Sequence, residues 1–273
     1  MKHLFILFFI GGMLLARGQH LPNPLLSAVS AAGGYGNAHH DIFGVLVNPA
    51  SIAHTTQFTA GIYGERRYML EGLQQFCGIL QFPFIKSGLG LQLDYNGSAL
   101  MNESAFGLAY GKKLGDKLST GLRFRYYQLQ IPGHVRASAL WAEAGLLFQL
   151  TPQLQTGFSL SRSTQSALSP TEQPLTQVYR FGLGYEPSKY VCISTDWIKE
   201  THKSLMGTLA ILYAIEEGLR LRLAWQTTTN QPVAGAGFHW KGCWTDIIVS
   251  YHPMLGFTPA FQMMWGASTR KQK

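Results

Sequence analysis

Residues 118–126 read LSTGLRFRY and carry the pattern that decides the fold. Apolar side chains alternate there with small or charged ones, as at Leu122, Arg123 and Phe124. Because successive side chains of a strand point to opposite faces, this stretch has one apolar face and one polar face. The same alternation recurs at residues 89–95, 154–160 and 219–225. The sequence therefore predicts a set of amphipathic β-strands.

The length and the ends of these strands separate two all-β folds. A sandwich with one face in water also shows alternation, but its strands usually have about 5–6 residues. The strands predicted here have roughly 9–12 residues, which is the reach of a tilted strand across a bilayer. Their apolar faces end in aromatic residues, which suit the boundary between lipid and water. These residues are Tyr95, Tyr110, Tyr126, Tyr185, Trp197, Tyr213, Trp225, Trp240, Tyr251 and Trp265. A transmembrane antiparallel β-barrel is favoured over the sandwich.

We expect about fourteen strands in this all-β barrel. They are predicted at 56–65, 69–82, 87–96, 102–112, 118–130, 137–150, 154–163, 178–186, 191–199, 204–215, 219–226, 232–240, 243–251 and 256–266. An even number agrees with single-chain bacterial barrels, which return both ends to the periplasm. Residues 164–177 then form the one long external loop. Tyr126 and Tyr127 interrupt the alternation, which predicts a β-bulge there.

The composition argues against a helical membrane protein and against nucleic-acid binding. Of 273 residues, 13% are charged and 46% are hydrophobic. Beyond the N-terminus, no apolar run approaches the roughly 20 residues that a membrane helix needs. The net charge of +8 is dispersed along the chain and accompanies no nucleic-acid motif. Cys77, Cys192 and Cys243 are odd in number and lack metal-ligand spacing, so we expect free thiols.

The N-terminus has the layout of a secretory signal peptide. A basic start at Lys2 precedes an apolar core, and small residues stand before an expected cleavage site at Gln19. We predict that residues 1–18 are removed. The loss of Lys2 and Arg17 lowers the formal net charge from +8 to +6. The chain is therefore expected to be exported.

Residues 19–55 lack strand periodicity and predict a plug, or hatch, inside the barrel. Small residues permit close backbone packing, and irregular backbone at membrane depth is tolerated only inside protein or beside water. The lumen of a barrel offers both. The motif residues of this segment are Gly33, Gly34, Asn48, Pro49 and Ala50. The predicted organisation is a plug at 19–55, a barrel at 56–266 and a basic periplasmic tail at 267–273.

The small-residue run followed by Asn48-Pro49-Ala50 resembles the N-terminal hatch of the FadL-like outer-membrane β-barrel superfamily. Within it, the chain looks most like a short member of the PorV/PorQ-type branch. Residues 251–259 also resemble the final hairpin of that branch. The resemblance implies a fourteen-stranded outer-membrane barrel and, for this branch, a role in type IX secretion or surface-protein assembly. FadL proteins proper build a fatty-acid groove from large external loops. This chain lacks those loops, which favours an accessory role over uptake.

Charged residues share the polar face of the strands, which places them on the inner wall. A charged side chain facing lipid at the midplane would cost about 2–4 kcal/mol. The predicted charge ladder consists of Arg123, Arg125, Arg180, Arg220, Arg222, Asp94, Glu143, Asp196 and Asp246, with Glu186 on the same wall. Such arginines can attract anions or the carbonyl groups of the plug. The alternative, which we favour, is a salt-bridged network that fills the interior and pins the plug.

The sequence predicts no catalytic residue, no metal site and no cofactor. The adjacent residues His39, His40 and Asp41 lack the spacing of a preformed metal site, so we interpret them as a polar turn of the plug. The chain has no Gly-x-Ser-x-Gly elbow, no His-Glu-x-x-His motif and no phosphate loop.

Three hypotheses for function follow. The first is a non-enzymatic plugged barrel in outer-membrane lipid, which serves with protein partners as an accessory of type IX secretion or of outer-membrane or surface protein assembly. The alternative is a passive channel for small hydrophobic compounds, as in FadL-type transport. The third is a barrel-embedded lipid-modifying enzyme.

Overall fold

The computed structural model describes residues 24–98, 101–133, 135–163, 176–201, 203–216 and 218–266. The predicted signal peptide, the first residues of the predicted plug, almost all of the predicted external loop and the basic tail lie outside these residues.

The chain forms a closed antiparallel barrel of fourteen strands. They are β1 (Thr59–Arg66), β2 (Gln74–Phe84), β3 (Ser87–Gly97), β4 (Asn102–Lys113), β5 (Leu118–Ile131), β6 (Val135–Gln149), β7 (Leu154–Ser163), β8 (Gln177–Ser188), β9 (Val191–Glu200), β10 (Met206–Glu216), β11 (Leu219–Gln226), β12 (Gln231–Trp240), β13 (Cys243–His252) and β14 (Gly256–Trp265). Each strand pairs with its neighbours in sequence, and β1 pairs with β14 to close the sheet. The closed sheet has no free edge. The predicted fold class is confirmed, and the sandwich is excluded.

Side chains alternate between the inside and the outside of the wall. In β5, Arg123 is buried, whereas Leu122 and Phe124 on either side of it are exposed. The ten aromatic residues predicted for the lipid–water boundary all lie on the exposed face, which confirms that they point outward; their position at the boundary stays a prediction. The charged residues of the predicted ladder occupy the opposite, inward phase of their strands. The wall thus presents an apolar outside and a mostly polar inside.

The two rims of the barrel are defined by the ends of β1 and β14. We call the rim where β1 begins and β14 ends the lower rim, and the opposite one the upper rim. The lower rim is the predicted periplasmic one.

At the upper rim, the predicted second strand begins too early, because residues 67–73 form a turn. Tyr68, Met69 and Gly72 have positive φ angles there, of 54°, 58° and 84°. The backbone N–H of Arg67 donates to the Leu73 carbonyl oxygen and closes this turn.

The predicted β-bulge at Tyr126 and Tyr127 is wrong. Tyr126 pairs with Leu140 and Tyr127 with Ala139 in an unbroken register. Tyr127 simply takes its place on the inward face, so two adjacent aromatic residues point to opposite sides of one regular strand. The register shifts instead beside two lower-rim turns, between β8 and β9 and between β10 and β11.

Residues 24–55, called the N-terminal segment below, lie against the inward faces of the strands. The segment contains α1 (Pro24–Tyr35) and two 3₁₀ helices, η1 (Ile42–Leu46) and η2 (Pro49–His54). Helix α1 packs against β7 to β12, η1 against β1 and β2, and η2 against β3 to β6. Contacts around the wall place the segment within the barrel. In the part of the chain that the structure describes, no helix is both long and apolar enough to cross a membrane.

An apolar core lies between the N-terminal segment and the wall. Phe43 and Ile52 of the segment are fully buried in a cluster that includes Ile79, Ile248 and Met264 of the strands. The interior is therefore not uniformly polar. The segment contributes apolar side chains to a lumen whose wall supplies most of the charges.

The first prediction tests the outward face of the wall. Leu108 lies in the middle of β4 and is 43% exposed. If this surface contacts acyl chains, Leu108→Arg should reduce the free energy of unfolding by about 2–4 kcal/mol. Denaturant titration of the barrel in lipid vesicles measures the loss, with Leu108→Ala as the control. Equal stability of the two variants would contradict a lipid-facing surface.

Candidate functional site

The N-terminal segment folds back on itself where α1 crosses η1. A Cβ atom on Gly44 would lie 2.6 Å from the carbonyl oxygen of Gly33, and one on Gly34 would lie 2.8 Å from the Cβ of Val47. A Cβ on Gly33 would overlap the Asp41 carboxyl group. The small residues therefore allow the two helices to touch through their backbones.

Asn48 connects the N-terminal segment to two strands. Its Oδ1 accepts a hydrogen bond of 3.0 Å from the backbone N–H of Ala50 and so caps η2, in which Pro49 takes the first position. Its Nδ2 donates to the carbonyl oxygens of Leu146 at 3.0 Å and Phe158 at 3.3 Å. The Asn-Pro-Ala motif thus begins a helix and fixes that helix to β6 and β7.

Glycines on the inward face of the wall make room for the N-terminal segment. A Cβ on Gly121 or Gly145 would overlap the Asn-Pro-Ala motif, and one on Gly182 would overlap the ring of Tyr35. Tyr35 is fully buried, and its hydroxyl group donates to Asp196 Oδ1 at 2.9 Å. The N-terminal segment and the wall are therefore complementary in shape.

Arg180 on β8 holds the backbone of the N-terminal segment. Its Nη1 donates to the carbonyl oxygens of Leu46 at 3.0 Å and Val47 at 2.9 Å. Its Nε also lies 3.5 Å from Oδ2 of Asp196 on β9. One guanidinium group therefore serves both the segment and a carboxylate of the wall.

Arg222 on β11 repeats this arrangement on another side of the lumen. Its Nη1 donates to the Val29 carbonyl oxygen at 2.9 Å, and its Nη2 donates to Asp41 Oδ2 at 3.1 Å. The same Nη2 lies 3.8 Å from Oδ2 of Asp246 on β13. Asp41 also accepts a hydrogen bond of 3.0 Å from the backbone N–H of Phe43 and caps η1.

Two further arginines pair along the wall. Arg123 donates from Nε and Nη2 to Glu143 Oε2, at 3.1 Å and 2.5 Å, directly across β5 and β6. Arg220 on β11 donates to Asp246 on β13 at 2.8 Å and 2.5 Å. Gly237 of β12 stands between them, and a Cβ there would overlap the Asp246 carboxylate. The missing side chain opens a path between strands that are not neighbours.

Arg125 and Asp94 of the predicted ladder have other partners. The Arg125 guanidinium lies 5.2 Å from the centre of the Tyr127 ring, a cation–π distance. Asp94 Oδ2 accepts a hydrogen bond of 2.6 Å from Gln92 Nε2. Both residues lie in the upper halves of their strands.

An apolar patch interrupts the charged inner wall in its upper half. Tyr127 and Trp141 meet edge to face with their ring centroids 6.3 Å apart, and Ala105 joins them in one buried cluster. Ala139 and Val178 pack against this cluster. We call these five residues the aromatic patch. Its inward position places a buried apolar cluster within a mostly polar lumen.

The three residues interpreted as a polar turn contact three different partners. His39 Nδ1 lies 2.9 Å from Glu186 Oε1, and His40 Nδ1 lies 3.1 Å from the Gly33 carbonyl oxygen. Asp41 caps η1 and contacts Arg222, as described above. The adjacent side chains therefore do not converge on one point.

The rings of His40 and His54 lie side by side inside the lumen in a tilted arrangement, with their centroids 5.8 Å apart. Burial is the main cause that lowers the pKa of His54 to about 3, and the nearby His40 and Lys113 contribute to this decrease. Burial also lowers the pKa of His40. Both rings are neutral at neutral pH, so they add no charge to the lower lumen.

Two small cavities lie in the interior that the structure describes. Each has a volume of about 10 Å³, which is space for a single water molecule. One lies near the upper rim beside Glu65, Arg67 and Thr258. The other lies between α1 and strands β10 to β12, beside Val29.

Sequence reasoning identified the small residues of the N-terminal segment but missed the glycines of the wall that receive it. These include Gly88, Gly90, Gly111, Gly121, Gly145, Gly157, Gly182 and Gly184. A signal existed, because all of them occupy the inward phase of β3 to β8. A glycine-rich inner face predicts a close neighbour inside the barrel. Tyr35, an isolated aromatic residue in a run of small ones, was also missed.

The barrel is similar to solved structures that are described as channels or transporters. It resembles the CymD monoaromatic hydrocarbon channel with a TM-score of 0.61 and 12% identity, over 89% of this chain and 98% of that one. For the toluene transporter TbuX of Ralstonia pickettii the TM-score is 0.57 and the identity 11%, over 87% and 96%. For the toluene transporter TodX of Pseudomonas putida they are 0.56 and 12%, over 87% and 95%.

At these identities the likeness shows the fold alone, a closed barrel, and membership of the FadL-like superfamily stays a prediction. No family model matches the sequence, and no curated protein matches it. Membership of the PorV/PorQ-type branch stays a prediction.

The second prediction tests the hold of Arg222 on the N-terminal segment. Arg222→Met should leave the buried Asp41 without its opposite charge, which costs about 3–5 kcal/mol when one partner of a buried pair is removed. We expect faster proteolysis within residues 24–55 and a lower free energy of unfolding. The exposed Arg162 provides the matched control, because Arg162→Met removes a charge that is not buried. Identical behaviour of the two variants would contradict a structural role for the Arg222–Asp41 pair.

Proposed function

We propose that the protein is a passive, non-enzymatic outer-membrane channel for small apolar compounds, and that the N-terminal segment is the plug that closes its lumen. The observation that carries this proposal is the double pairing of two wall arginines. Arg180 and Arg222 hold the segment, and each also faces a wall carboxylate, Asp196 at 3.5 Å and Asp246 at 3.8 Å. When the segment moves away, neither guanidinium is left buried without an opposite charge. The attachment can therefore be broken and remade.

The wall does not depend on the N-terminal segment for its backbone hydrogen bonds. Every strand pairs with two neighbours in the closed barrel. A closed sheet satisfies its backbone groups within itself, as a lipid environment requires. The plug can shift while the barrel stays intact.

The aromatic patch supports an apolar substrate. Aromatic ligands pack favourably against the edges and faces of Tyr and Trp rings, and Tyr127 and Trp141 present such rings on the inward face. Described as a monoaromatic hydrocarbon channel, CymD has a similar barrel, as do the toluene transporters TbuX and TodX. This likeness supports the same class of compound for this chain.

A second candidate is an accessory role in type IX secretion or in the assembly of outer-membrane or surface proteins. The close fit between the N-terminal segment and the wall favours it, because a static scaffold needs no passage. The comparisons give this role no support. Stable protein partners that copurify from detergent extracts, together with an absence of transport, would favour it over the channel.

The third prediction tests the plug. Deletion of residues 24–55 should convert a closed barrel into an open pore, because the fourteen strands pair without the segment. Planar-bilayer recording should show steady conductance for the deletion variant and only rare openings for the full chain. The heat-dependent gel mobility of folded barrels provides the control for folding. A folded deletion variant that does not conduct would contradict the plug.

The fourth prediction tests the substrate class. Intact cells that carry the protein should take up a radiolabelled monoaromatic hydrocarbon faster than cells without it. Trp141→Ala should slow uptake by about 2- to 10-fold, the equivalent of one lost aromatic contact. Trp197→Ala is the matched control, because Trp197 is 43% exposed on the outward face whereas Trp141 is 8% exposed. Uptake at the level of cells without the protein would contradict the channel.

A further inference from the structure

We propose that His39, Glu186 and Cys192 form a binding site for one divalent transition-metal ion such as Zn²⁺, which latches the N-terminal segment to the wall. His39 belongs to the segment, Glu186 to β8 and Cys192 to β9. One ligand atom from each residue lies within 4.8 Å of the other two. A bound ion would therefore join the segment to two strands at the lower rim.

The spacing suits a tetrahedral ion. Zinc binds nitrogen, oxygen and sulfur at about 2.0–2.3 Å, which sets neighbouring ligand atoms about 3.5 Å apart. His39 Nδ1 and Glu186 Oε1 are already 2.9 Å apart. Rotation of the side chains covers the remaining difference. Three protein ligands leave a fourth position for water.

The charges balance at this site. Cys192 is fully buried and Glu186 nearly so. A thiolate and a carboxylate together neutralise a divalent cation, and a neutral imidazole adds no charge. A neutral assembly costs far less to bury than an uncompensated ion. On binding, the Cys192 thiol loses its proton to the solvent, and His39 binds through one ring nitrogen while the other keeps the ring proton.

The surroundings position the ligands before any ion arrives. Glu186 accepts hydrogen bonds from the backbone N–H groups of Ala38, at 3.0 Å and 3.1 Å, and of His39, at 3.0 Å. Such contacts orient a ligating carboxylate. Gly36 leaves the space beside it open, since a Cβ there would lie 2.9 Å from Glu186 Oε1 and 3.3 Å from Cys192 Sγ.

The donor set selects the kind of metal. Calcium and magnesium prefer sets of oxygen ligands, whereas a mixed set of sulfur, nitrogen and oxygen suits zinc and its neighbours in the first transition row. The sequence gave no sign of this site, because residues 39, 186 and 192 meet only when the segment enters the barrel. The role of this site as a latch rests on the proposed plug, whereas the binding of a metal ion at the site does not.

The fifth prediction uses Co²⁺ as a spectroscopic substitute for zinc. The full protein, purified in detergent and stripped of metal, should bind one equivalent of Co²⁺ and show thiolate-to-cobalt charge-transfer absorption. Cys192→Ser should abolish this absorption and weaken Zn²⁺ binding by at least about 100-fold, since loss of even an orienting contact can cost that much. His39→Gln should lose the one-equivalent stoichiometry. Cys77→Ser and Cys243→Ser are the matched controls and should retain full binding.

Three results would overturn the site: no stoichiometric binding by the unaltered protein, equal binding by Cys192→Ser, or loss of the absorption in either cysteine control. Gel mobility of the folded barrel shows that each variant is intact.

A separate measurement tests whether the bound metal latches the N-terminal segment to the wall. Zn²⁺ should slow proteolysis of residues 24–55 in the unaltered protein and have no effect in Cys192→Ser. If zinc binds and protects while the deletion variant fails to conduct, the metal latch stands and the proposed channel fails.

Discussion

The structure depends on one constraint: backbone hydrogen bonds exposed to lipid must be made within the protein. The pairing of β1 with β14 meets this constraint, because it closes the sheet and leaves no free edge. Once the sheet is closed, each strand has only an outward and an inward face. The outward face meets acyl chains and accepts apolar residues. The buried charges, the glycines that contact the N-terminal segment and the segment itself then share the inside.

Charges that are confined to a narrow lumen need partners. Burial of an ion costs several kcal/mol unless an opposite charge and hydrogen bonds compensate for it. The lumen meets this need with guanidinium groups, whose several donors reach two acceptors at once. Arg222 contacts both Asp41 of the segment and Asp246 of the wall. The electrostatics of the wall and the position of the segment are therefore determined together.

Period-two alternation made the wall predictable from the sequence. It assigned the outward face of all ten boundary aromatic residues and the inward phase of the charged ones, because side-chain direction on a strand depends only on local sequence. It failed where the backbone leaves the regular strand, as in the turn around Tyr68 and Gly72. It also failed at Tyr127, where an inward aromatic residue looks like a break in the pattern.

The contacts of the lumen were not predictable in the same way. The partner of Arg220 depends on the missing side chain at Gly237, one strand away. Similarly, the meeting of His39 with Glu186 depends on the path of the N-terminal segment, which has no periodicity to reveal it. Alternation predicts which face of the sheet a residue occupies. The strand register and the path of the N-terminal segment determine which residues it contacts.

The inner surface has two parts with different chemistry, and this difference bears on how a lumen can be both filled and opened. From β3 to β8, glycines let the N-terminal segment approach the wall backbone, and Asn48 adds hydrogen bonds to β6 and β7. From β8 to β13, arginines reach across the space and bind the segment through directional hydrogen bonds.

Departure of the segment would expose peptide groups beside the glycines, and these are readily hydrated. It would leave the arginines with their wall carboxylates. An emptied lower lumen would therefore be wet and charge-balanced, with the aromatic patch above it as the apolar surface on which a hydrocarbon could rest.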